Sequence, residues 1–248
     1  MKENEHISSV LCGRAKRLNV AKIGKLIDFR PFHLAGGALG REKPNDFDVY
    51  PADGRPFDKD VIQKQVVFIP GAKIVTRTRN AVTVDVCGQI VQFCSYVKPS
   101  LRELVESFDY AHCQVGVTFT DVSDNGFGFW EITGEHWTDN WMRCKLTEST
   151  FYTGSEYPLA SVIRTVKYAN RRMFSGKSWV TSLVDALADV VKRGFRDYED
   201  FKDQLDAIDL GLSDYKGCWE LFQACKDKGL VDKRFGGGHD GTAAQEEC

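Results

Sequence analysis

Hydrophobic and polar residues follow two different periods along this chain, and the period changes near residue 150. Before that point, short apolar runs are bounded by glycine, proline or polar residues, which is typical of β-strands. The capping-box pair Ser100 and Glu103 predicts a helix over 100–107. The pattern predicts strands at 32–37, 66–69, 72–78, 81–86, 89–96 and on both sides of a turn at Asn125 and Gly126, and helices within 8–28 and at 57–65.

From Pro158 to about Leu230 the apolar residues recur at spacings of three and four, which predicts helices. The chain therefore has an α+β pattern, in which a mixed β-sheet is followed by a helical C-terminal region. We expect three segments: a core at 1–150, a helical domain at 151–235 and a flexible tail at 236–248. The tail is expected to be mobile because it has few bulky apolar residues.

The composition is that of an ordinary globular protein, with 248 residues, 42% hydrophobic and 27% charged. The net charge of −2 leaves no overall basic signature, so a nucleic acid would have to bind a local patch. No run of 18 apolar residues is present, and the N-terminus lacks a signal-peptide pattern, so we expect a cytoplasmic protein without a membrane partner.

Eight cysteines are scattered without a Cys-x-x-Cys pair, which argues against a zinc or redox motif. We expect free thiols in a reducing compartment. Cys87, Cys94 and Cys113 are expected to be small buried apolar side chains.

Two aspartates stand at a spacing of two in the segment Asp46-Phe-Asp-Val-Tyr50. On a β-strand such residues point to the same face, so Asp46 and Asp48 project together while Phe47 and Val49 face the other side. Two adjacent carboxylates repel each other unless a cation lies between them. Their oxygen atoms suit magnesium, and the pair predicts a metal site.

A Gly-Gly turn precedes this strand in the segment Leu34-Ala-Gly-Gly-Ala38. Gly36 and Gly37 have no side chain to block the approach of a phosphate to backbone N–H groups. A phosphate cradle beside a two-carboxylate metal platform is what phosphoryl transfer requires.

With these residues the chain resembles the nucleotidyltransferase superfamily, which includes DNA polymerase beta, tRNA nucleotidyltransferases and poly(A) polymerases. The superfamily signature is a Gly-Gly or Gly-Ser turn followed by Asp-x-Asp on the next strand, and Gly36, Gly37, Asp46 and Asp48 match it. The resemblance implies a nucleotidyltransferase palm with Asp46 and Asp48 as catalytic metal ligands, two Mg²⁺ ions and an NTP substrate. In size, the chain resembles small stand-alone members from bacteria and phages.

A second segment, 157–172, resembles the Pro-Leu-x-x-x-x-Arg-Ala helix that begins the helical part of tRNA nucleotidyltransferases. The resemblance implies that Arg164, Lys167 and Arg171 help to bind the nucleotide phosphates. A solvated basic helix face would explain the same three residues. The apolar residues expected on the core side of this helix are Leu159, Val162, Ile163 and Val166.

Superfamily members usually have a third acidic residue beside the pair, and several positions compete for that role. Gln92 occupies the kind of position where the acid is expected, and a neutral amide cannot act as a base. Asp109, between Phe108 and Tyr110, is the first choice for the third catalytic carboxylate, and Asp85 is the second.

The predicted function is transfer of an NMP from an NTP to an acceptor hydroxyl, with release of pyrophosphate. The resemblance favours an RNA 3′ end, such as that of tRNA, as the acceptor; a small hydroxyl compound or a protein side chain is the alternative. Because Gln92 stands at the acidic position, a catalytically impaired nucleotide- or nucleic-acid-binding protein is the second hypothesis, and a structural protein that keeps only the fold is the third.

Overall fold

The computed structural model describes residues 2–41, 44–78, 80–123, 129–206 and 217–231. The chain forms two compact units, one comprising Met1–Thr153 with Met173–Ser178 and the other Gly154–Arg172 with Trp179–Cys248. The turn predicted at Asn125 and Gly126 and the tail predicted at 236–248 lie outside the described residues.

A seven-stranded sheet forms the centre of the first unit, with the strand order β3-β4-β5-β2-β1-β6-β7. Strands β2 and β5 run parallel, and the other neighbouring strands run antiparallel, so the sheet is mixed. The strands are β1 Phe32–Ala35, β2 Asp46–Pro51, β3 Ala72–Arg77, β4 Ala81–Val86, β5 Gln89–Cys94, β6 Val115–Asp121 and β7 Trp130–Trp137. The described helices of this unit are α1 Lys2–Ala15, α2 Val20–Leu26, α3 Lys59–Val66, α4 Leu101–Glu106 and α5 Asp139–Thr147, with a short 3-10 helix at Ala111–Cys113.

One face of the sheet is apolar and forms the main core of the first unit. Phe47 and Val49 of β2 point into it beside Val91 and Phe93 of the parallel neighbour β5. Leu26 of α2 is among the helical residues that complete this core. Burial of these side chains, at about 2 kcal/mol each, fixes β2 in the sheet and leaves its alternate residues on the opposite face.

The opposite face is partly covered by α4, whose N-terminus is capped by Ser100 as the capping box predicts. Leu104 and Val105 pack there against Ala35 and Tyr50. The remaining part of this face carries the polar residues described below.

The second unit is helical. Its described helices are α6 Pro158–Asn170, α7 Ser178–Arg193, which begins at the last residue of the first unit, α8 Tyr198–Asp206 and α9 Cys218–Asp227. Phe195, Phe201 and Phe222 form the centre of a small aromatic core. These elements and the mixed sheet confirm the predicted α+β fold with a helical C-terminal region.

The strand predicted at 66–69 is wrong. Val66 is the last residue of α3, and Val67 is the helix C-cap. Val66 and Ile69 are buried, whereas Val67 and Phe68 are each 77% exposed. The spacing of the two buried residues is three, which is the spacing of a helical turn, and an apolar run of only four residues fits a strand and a helical turn equally well.

The predicted core side of α6 is also wrong, because Ile163 and Val166 are each 48% exposed. The buried positions include Ser161, Thr165 and Tyr168, which are four and three residues apart. The Thr165 hydroxyl donates to the carbonyl oxygen of Ser161 at 2.9 Å, so this polar side chain is buried with its hydrogen bond satisfied.

None of the three cysteines predicted to be buried is fully buried. Cys87 is exposed in the turn after β4, where its φ of 56° is left-handed, and Cys94 and Cys113 are half-buried. The buried thiols are Cys144 and Cys218. The seven cysteines in the described part of the chain are free thiols. No helix in that part is long and apolar enough to cross a lipid bilayer.

Candidate functional site

Strand β2 places Asp46 and Asp48 on the sheet face opposite the main core. Asp46 is exposed at the start of the strand and Asp48 is half-buried, whereas Phe47 and Val49 between and after them are buried. The alternation of the strand therefore holds two carboxylates side by side on one rigid element.

The glycine turn begins beside Asp48. Strand β1 runs antiparallel to β2 with Ala35 opposite Asp48, and the next residue, Gly36, has a φ of 98°. A Cβ atom at Gly36 would lie 3.4 Å from Oδ2 of Asp48. The chain therefore passes the carboxylate at van der Waals distance as it leaves the strand, and only glycine adopts this backbone conformation readily.

The next residues form a tight coil that ends at Arg41. The N–H groups of Leu39 and Gly40 donate to the carbonyl oxygens of Gly36 and Gly37 at 3.3 and 3.2 Å. A Cβ atom at Gly37 would lie 3.6 Å from Cδ2 of His112. The turn therefore contacts Asp48 at Gly36 and the 3-10 helix at Gly37.

Two neutral groups lie next to Asp48 on the same face. Burial raises the pKa of Tyr50 well above its ordinary value, and the negative charge of Asp48 raises it further. Burial and the negative charge of Asp48 also raise the pKa of the Cys94 thiol. Both groups are therefore protonated at neutral pH, and neither adds negative charge to the pair of carboxylates.

The residue beside Asp48 on the parallel strand β5 is Gln92, in direct register, and Asp46 lies beside Ile90. An amide therefore occupies the position next to the half-buried carboxylate. Asp85, the second choice for a third carboxylate, has another structural role. It accepts a hydrogen bond from the Gly88 N–H at 2.6 Å in the β4–β5 turn and lies 3.6 Å from the Lys73 ammonium.

Asp109, the first choice, is buried between α4 and the 3-10 helix. Its backbone carbonyl accepts from the N–H of Thr153 at 2.9 Å, and the ring of neighbouring Phe108 packs 5.8 Å from that of Tyr50. Across the described residues, no three His, Cys, Asp or Glu side chains converge to bind one metal ion. Asp46 and Asp48 alone still fit Mg²⁺, which commonly takes one or two carboxylates and completes its shell with water and phosphate oxygens.

A pocket of about 350 Å³ adjoins the glycine turn, and its lining includes Gly37, Gly40, Arg41, His112, Lys145 and Glu148. The Lys145 ammonium donates to the Gly40 carbonyl oxygen at 2.8 Å. Burial lowers the pKa of Lys145, and the nearby positive charges of Arg14 and Arg41 lower it further. The lining contains two cations, Arg41 and Lys145, and one carboxylate, Glu148, so cations outnumber carboxylates, which favours an anionic ligand.

His112 also lines this pocket. Its Nδ1 lies 2.7 Å from the Thr150 hydroxyl in a buried hydrogen bond. Sequence reasoning missed His112, Lys145 and Arg14 as site residues, because they are far from Gly37 along the chain and none belongs to a recognisable local motif.

The three predicted phosphate-binding residues of the second unit lie on or just after α6. Arg164 is half-buried, Lys167 is exposed, and Arg171 is the exposed C-cap of the helix. Their role in phosphate binding stays a prediction, as does that of Asp109 in catalysis.

No family model and no curated protein matches this chain. Among solved structures, it is similar to the Thermotoga maritima CCA-adding enzyme complexed with tRNA (15% identity, TM-score 0.47), over 90% of this chain and 54% of that one. It is also similar to a CCA-adding enzyme in complex with CTP (14% identity, TM-score 0.48), over 90% of this chain and 55% of that one. The chain spans little more than half the length of these proteins. At such identities and TM-scores the function has to be argued from the site itself.

Proposed function

We propose that this protein is a metal-dependent nucleotidyltransferase that moves an NMP from an NTP to an acceptor hydroxyl and releases pyrophosphate. The observation that supports it is the contact between the glycine turn and the carboxylate pair. A Cβ atom added at Gly36 would lie 3.4 Å from Oδ2 of Asp48, which is on the same strand as Asp46. A phosphate against the turn would therefore lie beside the metal ligands.

In this proposal Asp46 and Asp48 hold two Mg²⁺ ions, which supply charge neutralisation at the phosphates when bound. The triphosphate lies against Gly36 and Gly37, and its terminal phosphate is directed to the pocket that contains Arg41 and Lys145. Positioning and charge neutralisation supply most of the catalysis of phosphoryl transfer, so the reaction depends mainly on these fixed groups.

Asp109 is proposed as the third catalytic carboxylate, and Arg164, Lys167 and Arg171 as further phosphate ligands. The segment 1–150 would then bind the metal and the phosphates, and the helical segment 151–235 would close on the nucleotide. The proposed acceptor is an RNA 3′ end, such as that of tRNA, and this choice rests on the resemblance of segment 157–172. A small hydroxyl compound or a protein side chain is the alternative acceptor.

The test is label transfer from each of the four radiolabelled NTPs with Mg²⁺, with total RNA and total protein as acceptors. Asp46→Asn and Asp48→Asn keep the side-chain shape and remove the charge, so we expect each to lower transfer by about 100-fold or more. Glu131→Gln is the matched control, because Glu131 is an exposed carboxylate on β7 of the same sheet. Transfer that survives both aspartate substitutions at the control rate would contradict the proposal.

The second candidate function is nucleotide binding without efficient transfer, and the register of Gln92 beside Asp48 favours it. A binding protein would be stabilised against thermal unfolding by NTP and Mg²⁺ without releasing pyrophosphate. Gln92→Glu distinguishes the two candidates. If the amide is what prevents chemistry, this substitution produces pyrophosphate release that the wild type lacks; if the wild type already turns over, Gln92→Glu is not needed for activity.

A further inference from the structure

Helix α7 of the second unit has its large aliphatic side chains on the solvent side. Val180, Val184, Leu187 and Val191 are 40%, 56%, 46% and 68% exposed. The buried positions of the same helix include the small residues Ser182 and Ala186. An amphipathic helix in a globular protein normally has the reverse arrangement, so this face requires an explanation.

The four exposed residues, which we call the outer stripe, are spaced four, three and four residues apart. This is the spacing of the a and d positions of a coiled coil, at which side chains form a continuous apolar seam. The helix has 16 residues and is about 24 Å long, so the stripe extends over most of its length.

The spacing is symmetric about the midpoint between Val184 and Leu187. When a second copy of α7 is laid antiparallel on the first, Val180 lies opposite Val191 of the second copy and Val184 lies opposite Leu187. Each a position then meets a d position, which is the pairing of an antiparallel two-stranded coiled coil. The stripe is therefore complementary to itself, as a twofold-symmetric interface requires.

The positions that flank the outer stripe carry no charge. Thr181 and Ala188 lie on one side, and Leu183 and Val190, both half-buried, lie on the other. These are the e and g positions, where like charges would prevent two identical helices from approaching. The exposed charged residues Asp185 and Lys192 occupy the b positions, outside the seam.

We propose that the outer stripe is a dimerisation surface and that its occupant is α7 of a second copy of this chain, packed antiparallel. This proposal does not depend on the nucleotidyltransferase activity. Two heptads bury less surface than a standard stable interface, so the dimer forms and dissociates with protein concentration.

The test measures molecular mass in solution by sedimentation equilibrium of the full chain under reducing conditions, up to the solubility limit. We expect twice the 27.9 kDa of one chain at high concentration. Val184→Asp combined with Leu187→Asp would raise the dissociation constant by about 100-fold or more, because unpaired carboxylates would enter the seam. Val67→Asp is the matched control, since Val67 is an exposed apolar residue of the first unit, and it leaves the dimer intact.

The direction of the helices has its own test. Val180→Lys or Val191→Glu alone weakens the dimer by about tenfold, because one charge enters the seam at each end. The combined variant restores it, since antiparallel packing brings each lysine opposite a glutamate. If the combined variant stays as weak as the single ones, the antiparallel arrangement is refuted. A wild type that keeps the mass of one chain at every concentration, or a dimer that survives Val184→Asp with Leu187→Asp, overturns the proposal altogether. Far-ultraviolet circular dichroism of every variant confirms that the fold is retained.

Discussion

Substitution of Gly36 by alanine separates the effect of backbone strain from the effect on the site. The φ of Gly36 is 98°, a conformation that L-residues adopt at a cost of about 1–3 kcal/mol. Alanine also loses less conformational entropy on folding than glycine, and this offsets about 0.4–1 kcal/mol of the strain. We therefore expect Gly36→Ala to destabilise the first unit by up to about 2.5 kcal/mol.

The added methyl group has a second effect that stability measurements do not detect. At 3.4 Å from Oδ2 of Asp48 it would make an ordinary van der Waals contact and cover the carboxylate oxygen. A metal ion or a phosphate would then be displaced from this side of Asp48. A displacement of about 1 Å at a reacting centre costs about 100-fold in rate, so we expect a loss of that size in label transfer.

Gly88→Ala is the matched control. Gly88 has a φ of 89°, and a Cβ atom there would meet nothing within 4 Å. Both variants are compared by urea unfolding and by label transfer with Mg²⁺. We expect similar losses of stability and a loss of transfer in Gly36→Ala alone. Unchanged transfer in Gly36→Ala, or an equal loss in Gly88→Ala, would refute the proposed role of the turn.

Three further predictions concern other charged groups. Burial lowers the pKa of His33 to about 4, so the unfolded state takes up a proton first as the pH falls. The free energy of unfolding should therefore decrease by about 3 kcal/mol between pH 6.5 and pH 4. Urea unfolding of His33→Leu should not show this pH-dependent decrease. Burial alone would raise the pKa of Asp200, but hydrogen bonds led by Arg193 outweigh it and hold this pKa at about 2. Asp200→Asn should therefore cost the second unit about 3 kcal/mol at neutral pH, and its unfolding free energy should approach that of the wild type as the pH falls from 3.8 towards 2. Lys145→Met should weaken NTP binding by about tenfold in a calorimetric titration, and unchanged affinity would exclude Lys145 from phosphate binding.

The strands that carry the site could be predicted from sequence because their signal is local. The alternation around Asp48 assigns two carboxylates to one face, and the capping pair at Ser100 fixes the start of α4. The position of Gln92 beside Asp48 also agrees with the expectation from the motif. The first two follow from period or spacing within a few residues, whereas the expectation for Gln92 rested on the resemblance to the superfamily.

The pocket beside the glycine turn could not be predicted, because the residues around the turn meet only through the fold. Arg14 of α1 donates to the Leu39 carbonyl oxygen, Lys145 of α5 donates to the Gly40 carbonyl oxygen, and His112 of the 3-10 helix lies against Gly37. The buried side of α6 was missed for a related reason. Small and hydroxyl-bearing residues such as Ser161 and Thr165 are buried there through local hydrogen bonds, and a hydropathy pattern gives them no weight.

The glycine turn lies between the carboxylate of Asp48 and a pocket in which cations outnumber carboxylates. At its start Gly36 lies against Asp48, and at its end the Gly40 carbonyl accepts from the Lys145 ammonium. A phosphate chain along the turn would therefore have carboxylate-bound metal at one end and fixed cations at the other. The neutral state of Tyr50 keeps further negative charge away from the carboxylate end. Under the proposed function, a triphosphate would reach both ends of the turn, whereas a monophosphate would reach only one of them.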